Sequence, residues 1–310
     1  MILAVILLVS GLVALTLGAD RFVLAAGRLA RIWGLSPVLI GALVIGLGTS
    51  APEMLVSALA AGRGEIDIAM GNVVGSNVAN MTLVLGAAAL IAPVSSRVHT
   101  IRREGFAMAG GLLLLSVLLW NLELVRWEAA ILIAGMLAVG VVLVAWARDD
   151  AAKGRLPEEH RVPWRGSVRL EALIGVATLG ITLLGADLLV RGASDLAHRA
   201  GISAAFIGLV IVSVGTSLPE LATALAAARR SESDLVLGNV LGSNLFNSLA
   251  VAGTAGMVGP GVVDATFRNA LGFMVVTGII AGIFARTGRI ERWEGLVLLA
   301  VFLGFVVLVA

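Results

Sequence analysis

Long apolar runs separated by short polar breaks dominate the chain. Where Pro, Gly and charge cluster, the pattern divides into ten segments of helical length. The first five are Ile2–Leu29, Ser36–Ala61, Asp67–Ile91, Arg103–Trp120 and Trp127–Ala147. The second five are Val168–Ala197, Ser203–Ala228, Asp234–Val258, Thr266–Ala285 and Trp293–Val309. A helix rising 1.5 Å per residue crosses a bilayer in ~20 apolar residues, which these runs approach or exceed. A membrane β-barrel would show alternating segments of ~10 residues instead. The runs here are continuous and rich in Leu, Ala, Val and Gly, so the pattern predicts an all-α membrane protein with ten transmembrane helices. A polar connector at 148–167, carrying Asp149, Asp150, Lys153, Glu158 and Glu159, divides the chain into five-helix units at 1–147 and 168–310.

The two units are copies of each other. Gly48–Glu53 reads G-T-S-A-P-E and Gly215–Glu220 reads G-T-S-L-P-E; each is followed by G-N-V-x-G-S-N-x-x-N, at Gly71–Asn80 and Gly238–Asn247. Every matched position is offset by 167 residues, and 19 of 42 positions agree between Ile45 and Gly86. Leu17–Asp20 matches Leu184–Asp187 at the same offset. Because five crossings is an odd number, the second unit must enter from the opposite side, which makes the repeats inverted. Duplicated membrane units of this kind place their site at the repeat interface in many transporters.

Composition narrows the class further. The chain is 59% hydrophobic and 14% charged, with a mean hydropathy of +1.03, so its expected surroundings are lipid. Its 38 glycines suit close helix packing there. Absence of cysteine excludes disulfides and thiolate metal sites. The net charge of +2 resides in short loops, which argues for topology and against nucleic acid as a partner. Of the 22 Lys and Arg, 17 fall beyond helices 1, 3, 5, 7 and 9, and 5 fall beyond helices 2, 4, 6 and 8. The positive-inside rule then puts the connector in the cytoplasm and both termini outside, in the cell's inner (plasma) membrane. The first segment has no basic n-region or cleavage site and is expected to stay as a helix.

Candidate chemistry centres on Glu53 and Glu220, each about 17 residues into an apolar segment. A carboxylate at that depth needs a partner, a cavity or an ion. No Lys or Arg shares those crossings, so a cation is the natural counter-charge; the plainer alternative is a pair of protonated structural acids. Pro52 and Pro219 should break their helices and free carbonyls near Gly46–Thr49 and Ser213–Thr216. Thr49, Ser50, Thr216 and Ser217 add hydroxyls, completing the oxygen-only donor set that Na⁺ and Ca²⁺ favour. A lone Pro would ordinarily be only a kink; duplication beside an acid favours a site.

A polar stripe at i, i+4, i+8 runs through Asn72, Ser76 and Asn80 and again through Asn239, Ser243 and Asn247. Ligation is expected for Ser76, Asn80, Ser243 and Asn247, and interhelical hydrogen bonding for Asn72, Asn77, Asn239 and Asn244. Asp20 and Asp187 are placed near the cytoplasmic ends of first helices, as interfacial pairs with arginine. His99, His160 and His198 fall in loops or helix ends, which argues against a histidine site.

At these residues the chain resembles the cation/Ca²⁺ antiporter superfamily, in particular prokaryotic sodium/calcium exchangers. Duplicated G-T-S-x-P-E followed by G-N-x-x-G-S-N is the signature of that family's two α-repeats. The resemblance implies four cation sites in a diamond around the two glutamates, exchange of three Na⁺ for one Ca²⁺, and access switched by sliding of the first and sixth helices. The ligands it implies are Thr49, Ser50, Glu53, Ser76 and Asn80, with Thr216, Ser217, Glu220, Ser243 and Asn247, and carbonyls before each Thr-Ser pair. Several relatives, the K⁺-dependent exchangers among them, carry Asp where this chain has Asn247, which argues against K⁺ dependence. The short connector leaves no room for the regulatory domains of animal exchangers.

The resulting expectation is a secondary antiporter exchanging Na⁺ for Ca²⁺, working as a monomer in the lipid bilayer, with the ions as ligands and no cofactor. Ca²⁺/H⁺ exchange through the same glutamates is the alternative. An aspartyl-type intramembrane hydrolase lacks a G-x-G-D helix, a Ser-His enzyme lacks a mid-membrane histidine, and a passive channel would conduct without counter-ion dependence. No enzymatic activity is expected.

Overall fold

A computed structural model describes residues 2–32, 46–95, 98–152, 166–229 and 233–309. The start of the expected second helix, and most of the connector, lie outside the described residues. The first unit holds α1 (Ile2–Ile32), α2 (Gly46–Thr49), α3 (Ala51–Gly62), α4 (Ile66–Ala79), α5 (Leu85–Ile91), α6 (Val98–Leu118) and α7 (Arg126–Ala152). The second holds α8 (Val168–Ala200), α9 (Ala204–Phe206), α10 (Ser213–Thr216), α11 (Leu218–Arg229), α12 (Ser233–Phe246), α13 (Ala252–Val258), α14 (Thr266–Ala285) and α15 (Arg292–Val309). Wider π-helical turns join α4 to α5 at Asn80–Val84, α9 to α10 at Ile207–Val212, and α12 to α13 at Asn247–Val251.

The 167-residue offset persists in the structure. α2, α3, α4 and the Asn80–Val84 turn recur residue for residue as α10, α11, α12 and the Asn247–Val251 turn. Two-residue strands β1 (Val94–Ser95), β2 (Glu123–Leu124), β3 (Gly261–Val262) and β4 (Arg289–Ile290) pair across the units. β1 runs antiparallel to β4 and β2 to β3, so each half lends a strand to the other at both ends of the bundle. Pairs this short carry no periodicity, which is why the sequence did not announce them.

Small residues bring α1 and α8 into backbone contact. A Cβ on Gly11 would lie 2.5 Å from Leu189 N, and one on Gly185 would lie 2.4 Å from Leu15 N. Gly18 meets Thr182, and Arg28 pairs with Glu171 at 3.1 Å. Rising numbers on one helix meet falling numbers on the other, so these duplicated helices run antiparallel. This corrects the placement of both aspartates at one end. Asp187 pairs with Arg191 and with Arg63 of the α3–α4 loop, toward the opposite end of the pair from residue 20. The Asp20 side chain lies outside the described residues.

Among the described residues, five helical stretches are long and apolar enough to cross a membrane, and α9–α11, bent by 40° before α11, makes a sixth when the bent pair is counted as one span. α6 falls short of that measure because Arg102, Arg103 and Glu104 occupy its first turns. Outward-facing positions are apolar, Leu137, Val141, Val176 and Val307 among them, while Glu53, Asn72, Ser76, Glu220 and Asn239 are buried. A polar centre under an apolar exterior reverses the arrangement of a soluble fold, because lipid replaces water outside. Trp127 and Trp293 are exposed at the starts of α7 and α15, and indole favours membrane–water interfaces.

Candidate cation-binding centre

Proline positions both acids. α3 and α11 follow single non-helical residues, Ser50 (φ −88°, ψ 2°) and Ser217 (φ −82°, ψ 5°). Pro52 and Pro219 come two residues later, and their missing N–H leaves the Gly48 and Gly215 carbonyls without the usual donor four residues on. Glu53 and Glu220 sit in the first turns of the restarted helices, where the helix dipole favours negative charge. The break therefore lies where the prolines predicted. The carbonyl of Ser213, expected to be spare, is in use: it accepts from Ser217 N at 3.0 Å, Thr216 Oγ1 at 3.3 Å and Ser76 Oγ at 3.4 Å.

The two units complete each other's sites. Ser217 Oγ donates to Glu53 Oε1 at 3.3 Å across the repeat boundary. Ser243 Oγ donates to Glu220 Oε1 at 3.5 Å and lies 3.4 Å from Thr49 Oγ1. Thr216 Oγ1 donates to Asn72 Oδ1 at 2.8 Å, and Thr49 Oγ1 to Asn239 Oδ1 at 3.5 Å. Asn72 and Asn239 in turn hold the α3 and α11 backbones, each donating its Nδ2 to a glutamate carbonyl oxygen, Glu53 O or Glu220 O, at 3.2 Å.

All ten expected site residues are buried. Among the described residues, buried polar atoms without a hydrogen-bond partner concentrate here: Ser50 Oγ, Oε2 of both Glu53 and Glu220, and both amide atoms of Asn80 and Asn247. Unsatisfied buried oxygens are costly in lipid and point to a ligand that completes them. Carboxylate, amide, hydroxyl and carbonyl oxygens, without sulfur or imidazole, form a donor set matched to hard cations. No cluster of three or more Asp, Glu, His or Cys that could hold a metal occurs among the described residues.

Sequence reading missed three side chains. Ser57, one turn beyond Glu53, accepts from Asn72 Nδ2 at 3.0 Å and donates to Ala69 O at 3.1 Å. Ser248 Oγ donates to Asn77 Oδ1 at 3.3 Å, tying the α12–α13 turn to α4. Ser213 stands against Gly75. Only Ser57 had a readable signal, its i+4 spacing from Glu53. The π-turns, two of which begin at the last asparagine of a stripe, were also not foreseen; widened turns of this kind recur at functional sites.

A helical bundle with an apolar exterior and a duplicated, oxygen-lined polar centre defines the molecule as an integral membrane protein of the cation-transporting kind. The chain belongs to the sodium/calcium exchanger family, whose description, "Sodium/calcium exchanger protein", matches residues 3–146 and 171–310. It is 39% identical over 317 residues to the putative antiporter CaxA of Alkalimonas amylolytica, covering 98% of each chain. It is 30% identical to the sodium/calcium exchanger MaX1 of Methanosarcina acetivorans, covering 97% of each. Among solved structures it superposes on the sodium-calcium exchanger NCX_Mj with a TM-score of 0.70 and 29% identity, covering 99% of this chain and 98% of that one.

Proposed function

We propose that this protein is a secondary antiporter that exchanges Na⁺ for Ca²⁺ across the membrane, binding both between Glu53 and Glu220. The observation that carries the reading is the pair of buried carboxylates, each with a free Oε2 and each linked by hydrogen bonds to the other repeat. Two carboxylates supply a charge of −2, which one Ca²⁺ or a few Na⁺ neutralise in turn. An empty, doubly charged centre is costly to carry through lipid, so the protein changes access only when loaded, and exchange becomes obligatory.

In this reading Thr49, Ser50, Glu53, Ser76 and Asn80 join Thr216, Ser217, Glu220, Ser243 and Asn247 around the ions, with the Gly48 and Gly215 carbonyls as further ligands. Asn72 and Asn239 position them. Ten crossings form two inverted five-helix repeats, with the arginine-rich loops in the cytoplasm and both termini outside the plasma membrane. The antiparallel α1–α8 pair and the reciprocal strands support that inversion. The protein works as a monomer, because each repeat completes the other's site within one chain.

The test is ⁴⁵Ca²⁺ uptake into proteoliposomes loaded with Na⁺ and diluted into Na⁺-free buffer, with K⁺-loaded vesicles as control. Uptake should require internal Na⁺, and Glu53→Gln or Glu220→Gln should abolish it while the protein still inserts and folds. Full uptake by both variants would refute the site. Uptake that follows an imposed pH gradient without Na⁺ would reassign the coupling ion to H⁺.

A further inference from the structure

A second feature lies away from the ion centre. A slot of 250 Å³ opens between α6, α12 and α14, with Met81 and Leu85 at its floor and Leu237 along one side. Its lining is apolar apart from Arg102 and Arg286. Both guanidinium groups are exposed, and neither has an ion-pair partner among the described residues. Arg103, beside them, is instead stacked on Trp146, 4.6 Å from the ring centre.

The duplication sharpens the point. The positions 167 residues from Arg102 and Arg286 are Asn269 and Leu119. The arginine pair therefore exists at one end of the α6–α14 contact and not at the other. Symmetric packing does not account for it, and the pair lies on the arginine-rich face of the chain. Two unpaired cations above an apolar slot complement a ligand with one anionic head and a hydrocarbon tail.

We propose that this slot is a binding site for a single anionic phospholipid, its phosphate held by Arg102 and Arg286 and one acyl chain lying against Met81 and Leu85. Arginine matches phosphate geometry, and anionic lipids are enriched in the cytoplasmic leaflet, where basic clusters engage them. Met81 follows Asn80 within the π-turn. A seated chain thus braces the turn that presents Asn80, and the site is separate from the ion ligands.

Native mass spectrometry of the detergent-purified full chain tests this with phosphatidylglycerol and phosphatidylcholine of identical acyl chains. The wild type should retain one phosphatidylglycerol with at least ten-fold preference over phosphatidylcholine. Arg102→Gln with Arg286→Gln should lose that preference, whereas Arg21→Gln with Arg229→Gln, removing two other exposed arginines, should keep it. Gly105→Leu with Gly282→Leu should fill the slot and lower retention with both arginines present. A Cβ at either glycine meets nothing within 4 Å, so the fold tolerates them. Inorganic phosphate should not displace the lipid. Equal retention of both lipids, equal loss in the Arg21/Arg229 control, or displacement by phosphate would each overturn the proposal.

Discussion

Replacing Gly75 by Ala adds one methyl group where α4 crosses the segment leading into α10. The new Cβ would lie 2.1 Å from the Leu209 carbonyl oxygen, 2.5 Å from Ser213 Oγ and 2.7 Å from Ser213 Cβ. The first contact is to backbone, so no side-chain rotation relieves it, and the helices must part by roughly 1 Å to restore an ordinary C···O separation. Overpacking of this kind costs about 1–3 kcal/mol, and the backbone contact puts Gly75→Ala at the upper end. The separation acts where Ser76 bonds Ser213 O and where Thr216 bonds Asn72, so it stretches the links that hold the two repeats around the carboxylates. Thermal unfolding in detergent should show a clear drop in midpoint, and Na⁺-driven ⁴⁵Ca²⁺ uptake should fall more than ten-fold at equal protein. Gly110→Ala on α6, where a Cβ meets nothing within 4 Å, is the matched control and should behave as wild type. Wild-type stability and uptake in Gly75→Ala would refute the reasoning, since the helices would then have room that the geometry denies them.

Asn72→Ala removes the donor to Glu53 O and Ser57 and the acceptor of Thr216. It should cost about 1–3 kcal/mol and weaken Ca²⁺ binding, read by thermal unfolding and by the concentration dependence of uptake. Arg28→Gln strips the guanidinium from Glu171, which is 4% exposed. A loss of about 1–3 kcal/mol is expected, with Arg28→Gln/Glu171→Gln recovering part of it in the same unfolding assay. Asp264 accepts from Thr266 Oγ1 and Thr266 N; the side-chain bond first, then the backbone bond, holds its carboxyl below the usual value. A depressed folded pKa stabilises above the unfolded value of ~3.9 and loses that contribution as pH falls through the folded one. Asp264→Asn should therefore lower the unfolding midpoint at neutral pH, and the difference should shrink below about pH 4.

Much of this was legible in the sequence because duplication reports on itself. The paired prolines located both helix breaks, and the i, i+4, i+8 stripes located the polar faces, since both signals are local. Contacts between repeats were not legible. That Ser217 meets Glu53, or that Asn72 serves as acceptor to Thr216, depends on how α3 and α4 meet α10 and α11. Ser248 meeting Asn77 has no counterpart in any periodicity. The π-turns escaped because a residue's turn width depends on what packs beside it, and Asn80 and Asn247 read equally well as ordinary helix. The end of the bundle to which Asp187 belongs followed from helix direction, which composition near the aspartate does not encode.

The crossing of hydrogen bonds between halves bears on how the chain is made. Ser217 follows Glu53 by 164 residues and Ser243 follows Thr49 by 194, so the first half reaches the membrane before the polar partners that the second half supplies exist. At ~5–20 residues per second of synthesis, a 167-residue lag leaves Glu53, Asn72 and Ser76 waiting about 8–33 s inside or beside lipid. For that interval α3 and α4 depend on the insertion machinery, on water or on protonation to shelter them. Biogenesis, more than the stability of the finished bundle, is then the step most sensitive to any change that deepens or enlarges that polar face.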